Sequence, residues 1–144
     1  DYRAHQRMLE QEAGVMQTCQ MPINAFDPNY KSFINNVLPK LLENNIAPLA
    51  MKTLANGGFF GGTTHFKSGD KPRIVPSALN VEEALNFVWS LPVSVLITGP
   101  DHAEMMQEKI DLARSFKSMS EEDRQDLVAR VADFDGSTVE YYKA

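Results

Sequence analysis

The chain has 144 residues, 43% of them hydrophobic and 23% charged, the composition of one ordinary globular domain with material for a sizeable core. A net charge of -5 and a pI near 5.1 argue against nucleic acid or an anionic membrane as a partner, since an acidic surface attracts neither. The longest apolar run, Leu91–Ile97, is far short of the ~20 residues a bilayer-spanning helix needs, and no charged-then-apolar leader opens the chain.

Taken in chain order, Tyr2–Ala13 reads as a solvent-exposed helix that stops at Gly14, a good terminator. Val15–Ile23 reads as a short strand ended by Pro22, and Asn24–Pro28 as a turn. Tyr30, Phe33, Ile34, Val37, Leu38, Leu41 and Leu42 recur at helical spacing up to Asn44 and Asn45, with Pro39 kinking or restarting the helix. Ile46–Thr53 is a second apolar run, and a long loop over 55–79 follows, with Gly57-Gly58 and Gly61-Gly62 in it and no helix until Asn80. Asn80 and Glu83 form a capping-box pattern for a helix that Pro92 ends. Val93–Ile97 is rich in β-branched residues and reads as a third strand. Gly99-Pro100-Asp101 turns the chain into a helix capped by Asp101 and running to about Phe116. Ser120 and Asp123 start the last helix, and 135–144 is a polar, aromatic tail of undetermined structure.

Strands alternating with helices place the chain in the α/β class, with a parallel sheet covered by helices. Three strands alone leave two sheet edges open, so a further segment or another chain is expected to cover them. Cys19 is the lone cysteine, which rules out a disulfide framework and suits a reducing compartment such as the cytoplasm, or a plain buried thiol. The chain opens at Asp1 rather than Met, directly in helical sequence, as a processed, cleaved or partly observed product would.

Gln20-Met21-Pro22-Ile23-Asn24, then Ala50-Met51-Lys52 within Ile46–Leu54, and then Leu91–Gly99 resemble, in order and spacing, the second half of the aldo/keto reductase family. Ser120-Glu121-Glu122-Asp123-Arg124 is similar to the start of that family's closing helix. The resemblance implies a partial (β/α)8 TIM barrel, with the strands as its sixth to eighth and residues 1–144 as the C-terminal part of one domain. In such barrels the active site lies at the C-terminal ends of the strands, and the loops after strands seven and eight commonly bind phosphate.

Carried over residue by residue, the resemblance makes Gln20 the strand-six glutamine that binds the nicotinamide carboxamide, with Asn24 nearby. Met51 takes the place of a stacking tyrosine. Lys52, Thr53 and Leu54 fall where the family meets the pyrophosphate. Gly99, Pro100 and Asp101 fall in the loop that holds the adenosine end, and Glu108 takes the place of an adenine-binding glutamate. The cofactor implied is NADP or NAD. The family leans to NADP, but Asp101, Glu104 and Met105 offer a 2′-phosphate no countercharge, with Lys109 as partial compensation.

The family's catalytic aspartate, tyrosine, lysine and histidine belong to earlier strands, and Tyr2, Tyr30, Tyr141 and Tyr142 do not match the tyrosine. This chain alone is therefore expected to be inactive, as part of an enzyme that reduces a small aldehyde or ketone with NAD(P)H. The alternative is a non-catalytic nucleotide-binding or structural module completed by another chain.

Plainer roles stand beside each of these. Gln20 and Asn24 can satisfy backbone groups in a turn, Lys52 can be a solvated rim residue, Met51 plain core and Asp101 a helix cap. The glycine pairs lack the lysine and hydroxyl spacing of a P-loop and read as a flexible loop, with Phe59 and Phe60 either closing over a ligand or packing on a neighbouring helix. His5, His65 and His102 share no metal-ligand spacing.

Overall fold

The computed structural model describes residues 1–60, 78–100 and 102–143. Its centre is a parallel sheet in the order β1-β2-β3, from β1 (Thr18–Pro22), β2 (Ala47–Met51) and β3 (Val95–Leu96). β1 and β2 pair from Thr18 against Ala47 to Pro22 against Met51, and β2 meets β3 at Leu49 with Val95 and Ala50 with Leu96. Side chains alternate across a strand. Cys19, Met21, Pro48 and Ala50 therefore lie on the face that the helices cover, while Thr18, Gln20 and Val95 lie exposed on the other. Burial raises the Cys19 thiol above its ordinary pKa, so it behaves as a small core residue.

α1 (Tyr2–Glu12) is capped by Asp1, whose carboxylate accepts from the Arg3 N–H, and a 3-10 turn over Ala13–Val15 follows it. That turn trims the first strand, expected from Val15, to start at Thr18. The predicted break in the second helix falls at Val37, between α2 (Phe33–Asn36) and α3 (Leu38–Glu43). Pro39 lies in the first turn of α3, where its missing N–H costs no helical bond.

α4 (Val81–Trp89) carries the expected capping box: the Asn80 side chain accepts from the Glu83 N–H and the Glu83 carboxylate from the Asn80 N–H. α6 (Glu121–Arg130) has the same device in Ser120 and Asp123, and hydrogen bonds from Ser120 hold the Asp123 carboxyl below its usual pKa. The Arg130 guanidinium, 2.8 Å from Glu83, ties α6 to α4.

Several expectations need correction. β3 covers two residues of the expected Val93–Ile97. In a parallel ladder the N–H and C=O of one residue point to the same neighbour. The Pro48 carbonyl accepts from the Ser94 N–H at 2.9 Å, so the N–H that Pro48 lacks is one that would have met β3. α5 (Ala103–Arg114) starts later than expected: its cap is His102, whose Nδ1 accepts from the Met105 N–H at 3.4 Å, and Asp101 lies outside the described residues. The stretch expected to be free of helix holds 3-10 turns over Ala55–Phe60, and of the two roles open to Phe59 the structure shows packing, with the ring buried in the core. Gly61, Gly62 and His65 lie outside the described residues.

The tail is ordered. α7 (Gly136–Val139) is capped by Asp135 and leads into a 3-10 turn over Tyr141–Lys143. Val139 joins a core that includes Met21, Phe26, Phe33, Leu41, Ile46 and Leu127. A Cβ on Gly136 would lie 2.4 Å from the Tyr30 ring. Gly136→Ala is accordingly expected to cost about 1–3 kcal/mol through overpacking, read as a lower urea midpoint with an unchanged m-value. An unshifted midpoint would mean that the tail does not pack against Tyr30.

Candidate functional site at the strand ends

Parallel strands end on one side of a sheet, which gathers the segments after β1, β2 and β3 there. Ladder bonds continue past the strands, from the Ile23 N–H to the Met51 carbonyl at 3.0 Å and from the Ile97 N–H to the Ala50 carbonyl at 2.8 Å. Gln20 is exposed on the sheet face that the helices leave uncovered, and its amide donates to the Met51 sulfur at 3.1 Å. The half-buried Lys52 follows directly, with its ammonium 3.1 Å from the Asn56 side-chain oxygen and 5.5 Å from the centre of the Tyr142 ring. Gln20 and Met51 thus meet on one sheet face, an amide against a thioether, and the next residue, Lys52, adds a half-buried cation just past the strand end.

Asn24 has a different place from the one the resemblance implies. It is fully buried, and its oxygen accepts from the Phe26 and Asp27 N–H groups at 2.8 and 3.1 Å. Its amide nitrogen donates to Glu140 at 2.7 Å, to Tyr142 at 3.2 Å and to the Lys52 carbonyl at 3.3 Å. The turn-forming role therefore replaces the ligand contact. Thr53 is also buried, and Leu54, half-buried like Lys52, packs against the core.

Gly99 is exposed and Pro100 half-buried in the segment leading to α5. Free N–H groups and a partial positive charge at a helix start suit a phosphate. The first two turns of α5 expose Glu104 and Glu108, whereas Lys109 is buried and does not provide the surface countercharge expected of it.

The sequence reading missed a buried ionic cluster behind this surface. The Lys143 ammonium lies 2.5 Å from both Asp27 and Glu140, with all three side chains shut off from solvent, and donates to the Tyr30 carbonyl at 3.0 Å. Asp27 also accepts from the Ser32 hydroxyl at 2.7 Å and from the Phe33 and Ile34 N–H groups at 3.0 and 2.9 Å. Burial raises the Glu140 pKa, with Lys143 opposing the shift. Burial, followed by the Glu140 charge, pushes the Tyr142 hydroxyl well above its usual range. A phenol held in that state is a poor proton donor. No signal of hydrophobic period announces such a cluster; the unusual density of Glu140, Tyr141, Tyr142 and Lys143 was its one trace.

Among the described residues, no three His, Cys, Asp or Glu side chains converge as metal ligands, and no helix is long and apolar enough to cross a membrane.

No protein-family model matches the chain, and no curated protein matches it either. Its structure is similar to that of the aldo-keto reductase AKR11C1 from Bacillus halodurans in the apo form, with a TM-score of 0.59 and 15% identity over 90% of this chain and 47% of that one. The holo form gives 0.55 and 15% over 90% and 46%. The chain thus spans about half the length of the structures it matches. The likeness establishes the fold: α/β, with a three-stranded parallel sheet that corresponds to part of a TIM barrel, as the strand sequences implied.

Proposed function

We propose that this chain is the cofactor-holding part of an oxidoreductase that reduces a small aldehyde or ketone with NAD(P)H. The observation that carries the reading is the contact of the exposed Gln20 amide with the half-buried Met51 sulfur at the strand ends, with the half-buried Lys52 next in the chain. A primary amide suits the carboxamide of nicotinamide, a thioether gives its ring an apolar contact, and an ammonium matches pyrophosphate. The residues present therefore fit a dinucleotide. The bound cofactor supplies the hydride.

The chain's own part is to orient. Gln20 fixes which ring face meets the substrate, Lys52 offsets phosphate charge, and the start of α5, with Gly99, Pro100 and Asp101, receives the adenosine end near Glu108. Tyr142 is not assigned proton donation, which on this reading comes from earlier strands of a complete barrel. Exposed acids on α5 leave a 2′-phosphate without a countercharge, so NADH and NADPH are tested side by side.

In the full-length protein, Gln20→Ala is expected to lower kcat/KM by about tenfold, the value of one good hydrogen bond to the ring amide. Because Gln20 is exposed, the unfolding free energy should stay within about 0.5 kcal/mol of the parent. Unchanged kinetics with either cofactor would sink the assignment.

The alternative, a non-catalytic nucleotide-binding or structural module completed by another chain, draws on the unpaired outer edges of β1 and β3 among the described residues. An intact mass of 16.1 kDa found only in oligomers supports it, and a mass larger by half a barrel or more supports the enzyme.

A further inference from the structure

We propose that the C-terminal segment Glu140–Lys143 positions Lys52, holding the loop after β2 in a strained shape and presenting the lysine ammonium to an anionic group of the pyrophosphate type. Only the ligand in this statement rests on the cofactor reading; the positioning stands on geometry.

Lys52, Ala55 and Asn56 have φ of 56°, 48° and 57°, followed by Gly57 at 83°. Three non-glycine residues in the left-handed region within five positions carry a conformational cost, and such a loop persists only where its surroundings over-determine it. Its own backbone supplies two bonds, from the Ala55 N–H to the Lys52 carbonyl and from the Gly57 N–H to the Leu54 carbonyl. The Asn24 amide adds one to the Lys52 carbonyl at 3.3 Å, and the tail supplies others. The Asn56 amide donates to the Tyr141 hydroxyl at 2.8 Å, and that fixes the Asn56 oxygen, which accepts from Lys52. The Tyr142 ring stands 5.5 Å from the Lys52 nitrogen, and the Tyr142 hydroxyl donates to Glu140 at 3.2 Å.

The segment cannot drift, because Lys143 is bound between Asp27 and Glu140 in the protein interior. A lysine otherwise samples many rotamers, and binding must then offset the freedom it loses. Here Asn56 and the Tyr142 ring have already restricted it. Asn56 takes one of the three ammonium donors, which leaves others for a ligand.

The test uses the full-length protein labelled with 13Cε-lysine, with the Lys52 signal identified by its loss in Lys52→Met. Ring current from Tyr142 should shift the Lys52 methylene protons upfield. Tyr142→Phe keeps the ring and should keep the shift, whereas Tyr142→Leu should return the signal to the position of a free lysine. Inorganic pyrophosphate should bind about threefold to tenfold more weakly to Tyr142→Leu than to the parent, and within about twofold in Tyr142→Phe. Tyr141→Phe, a change at a half-exposed ring that leaves the core intact, should speed amide exchange over 53–57 by about tenfold.

A Lys52 signal that is the same with Leu as with Tyr at 142 overturns the positioning role and leaves the cofactor reading intact. Equal pyrophosphate affinity in the two proteins, with the signal moved, overturns the presentation of Lys52 to an anion. Failure of the parent protein to bind pyrophosphate, NADH or NADPH overturns the cofactor reading itself, while the lysine shift still decides the positioning. If Tyr142→Leu does not fold, unchanged exchange over 53–57 in Tyr141→Phe overturns the proposal.

Discussion

Replacing Lys143 by Met is expected to destabilise the fold by about 3–5 kcal/mol at neutral pH, the largest effect of any single charge removal in the described structure. The methionine keeps much of the apolar stem but leaves Asp27 and Glu140 as buried carboxylates without their cation. Asp27 retains three donors, from Ser32, Phe33 and Ile34. Glu140 retains the Asn24 amide and the Tyr142 hydroxyl, both on the same oxygen.

The cost should depend on pH, and its sign follows from Glu140. Its folded pKa already lies above the ordinary value of 4.5 because of burial, and removing Lys143 raises it further. Between 4.5 and that raised value the folded state binds more protons than the unfolded state, so this group's contribution to stability falls as pH rises. The variant should therefore recover part of its deficit relative to the parent on acidification toward 4.5, below which the carboxyl becomes neutral in both states. Urea titrations of both proteins at pH 7 and at about pH 5 measure this. A deficit under about 1 kcal/mol at pH 7, or one that fails to shrink in acid, would show that the cluster does not carry the tail.

Phe33→Ala should cost a similar amount, about 3–5 kcal/mol, for a different reason. The ring is 2% exposed, meets the His5 ring edge-on at a centroid distance of 5.0 Å, and lies 5.6 Å from the Lys143 ammonium. It therefore joins α1, α2 and the tail, and the space it vacates has walls on three elements that cannot all collapse into it. The same urea experiment reads the loss, and limited proteolysis should reveal early cleavage near both ends of the chain. A loss below about 1.5 kcal/mol would mean that these elements close over the gap.

The parts of this fold legible in the sequence were those set by local rules. Caps at Asn80 and Ser120, the restart at Pro39 and the alternation of strands and helices follow from short-range donors, acceptors and backbone restriction. Errors arose where a distant partner decides. The third strand is shortened because Pro48, far away in sequence, has no N–H to give it. Phe59, which beside glycines could close over a ligand or pack inward, is buried, a choice that tertiary packing and not local sequence makes.

At the site, the meeting of Gln20, Met51 and Lys52 was legible because strand order places consecutive strand ends together. The internal role of Asn24 was not, since it depends on Glu140 and Tyr142, more than a hundred residues away. A charged tail ordinarily reads as solvated, and Asp27 and Tyr30, which with the neighbouring Glu140 draw Lys143 inward, lie more than a hundred residues from it.

One detail of the sheet governs how the molecule meets other strands. In β1 the residues that bond to β2 alternate with Thr18, Gln20 and Pro22, whose polar backbone groups face the outer edge. Pro22 has no N–H and the Gln20 backbone already bonds to the His5 ring of α1, so of these three residues only Thr18 offers an incoming strand both a donor and an acceptor. The edge is therefore blunted at both positions beyond Thr18, by a helix side chain at one and by a missing donor at the other, and fibril growth, which needs an uninterrupted row of rungs, finds too few.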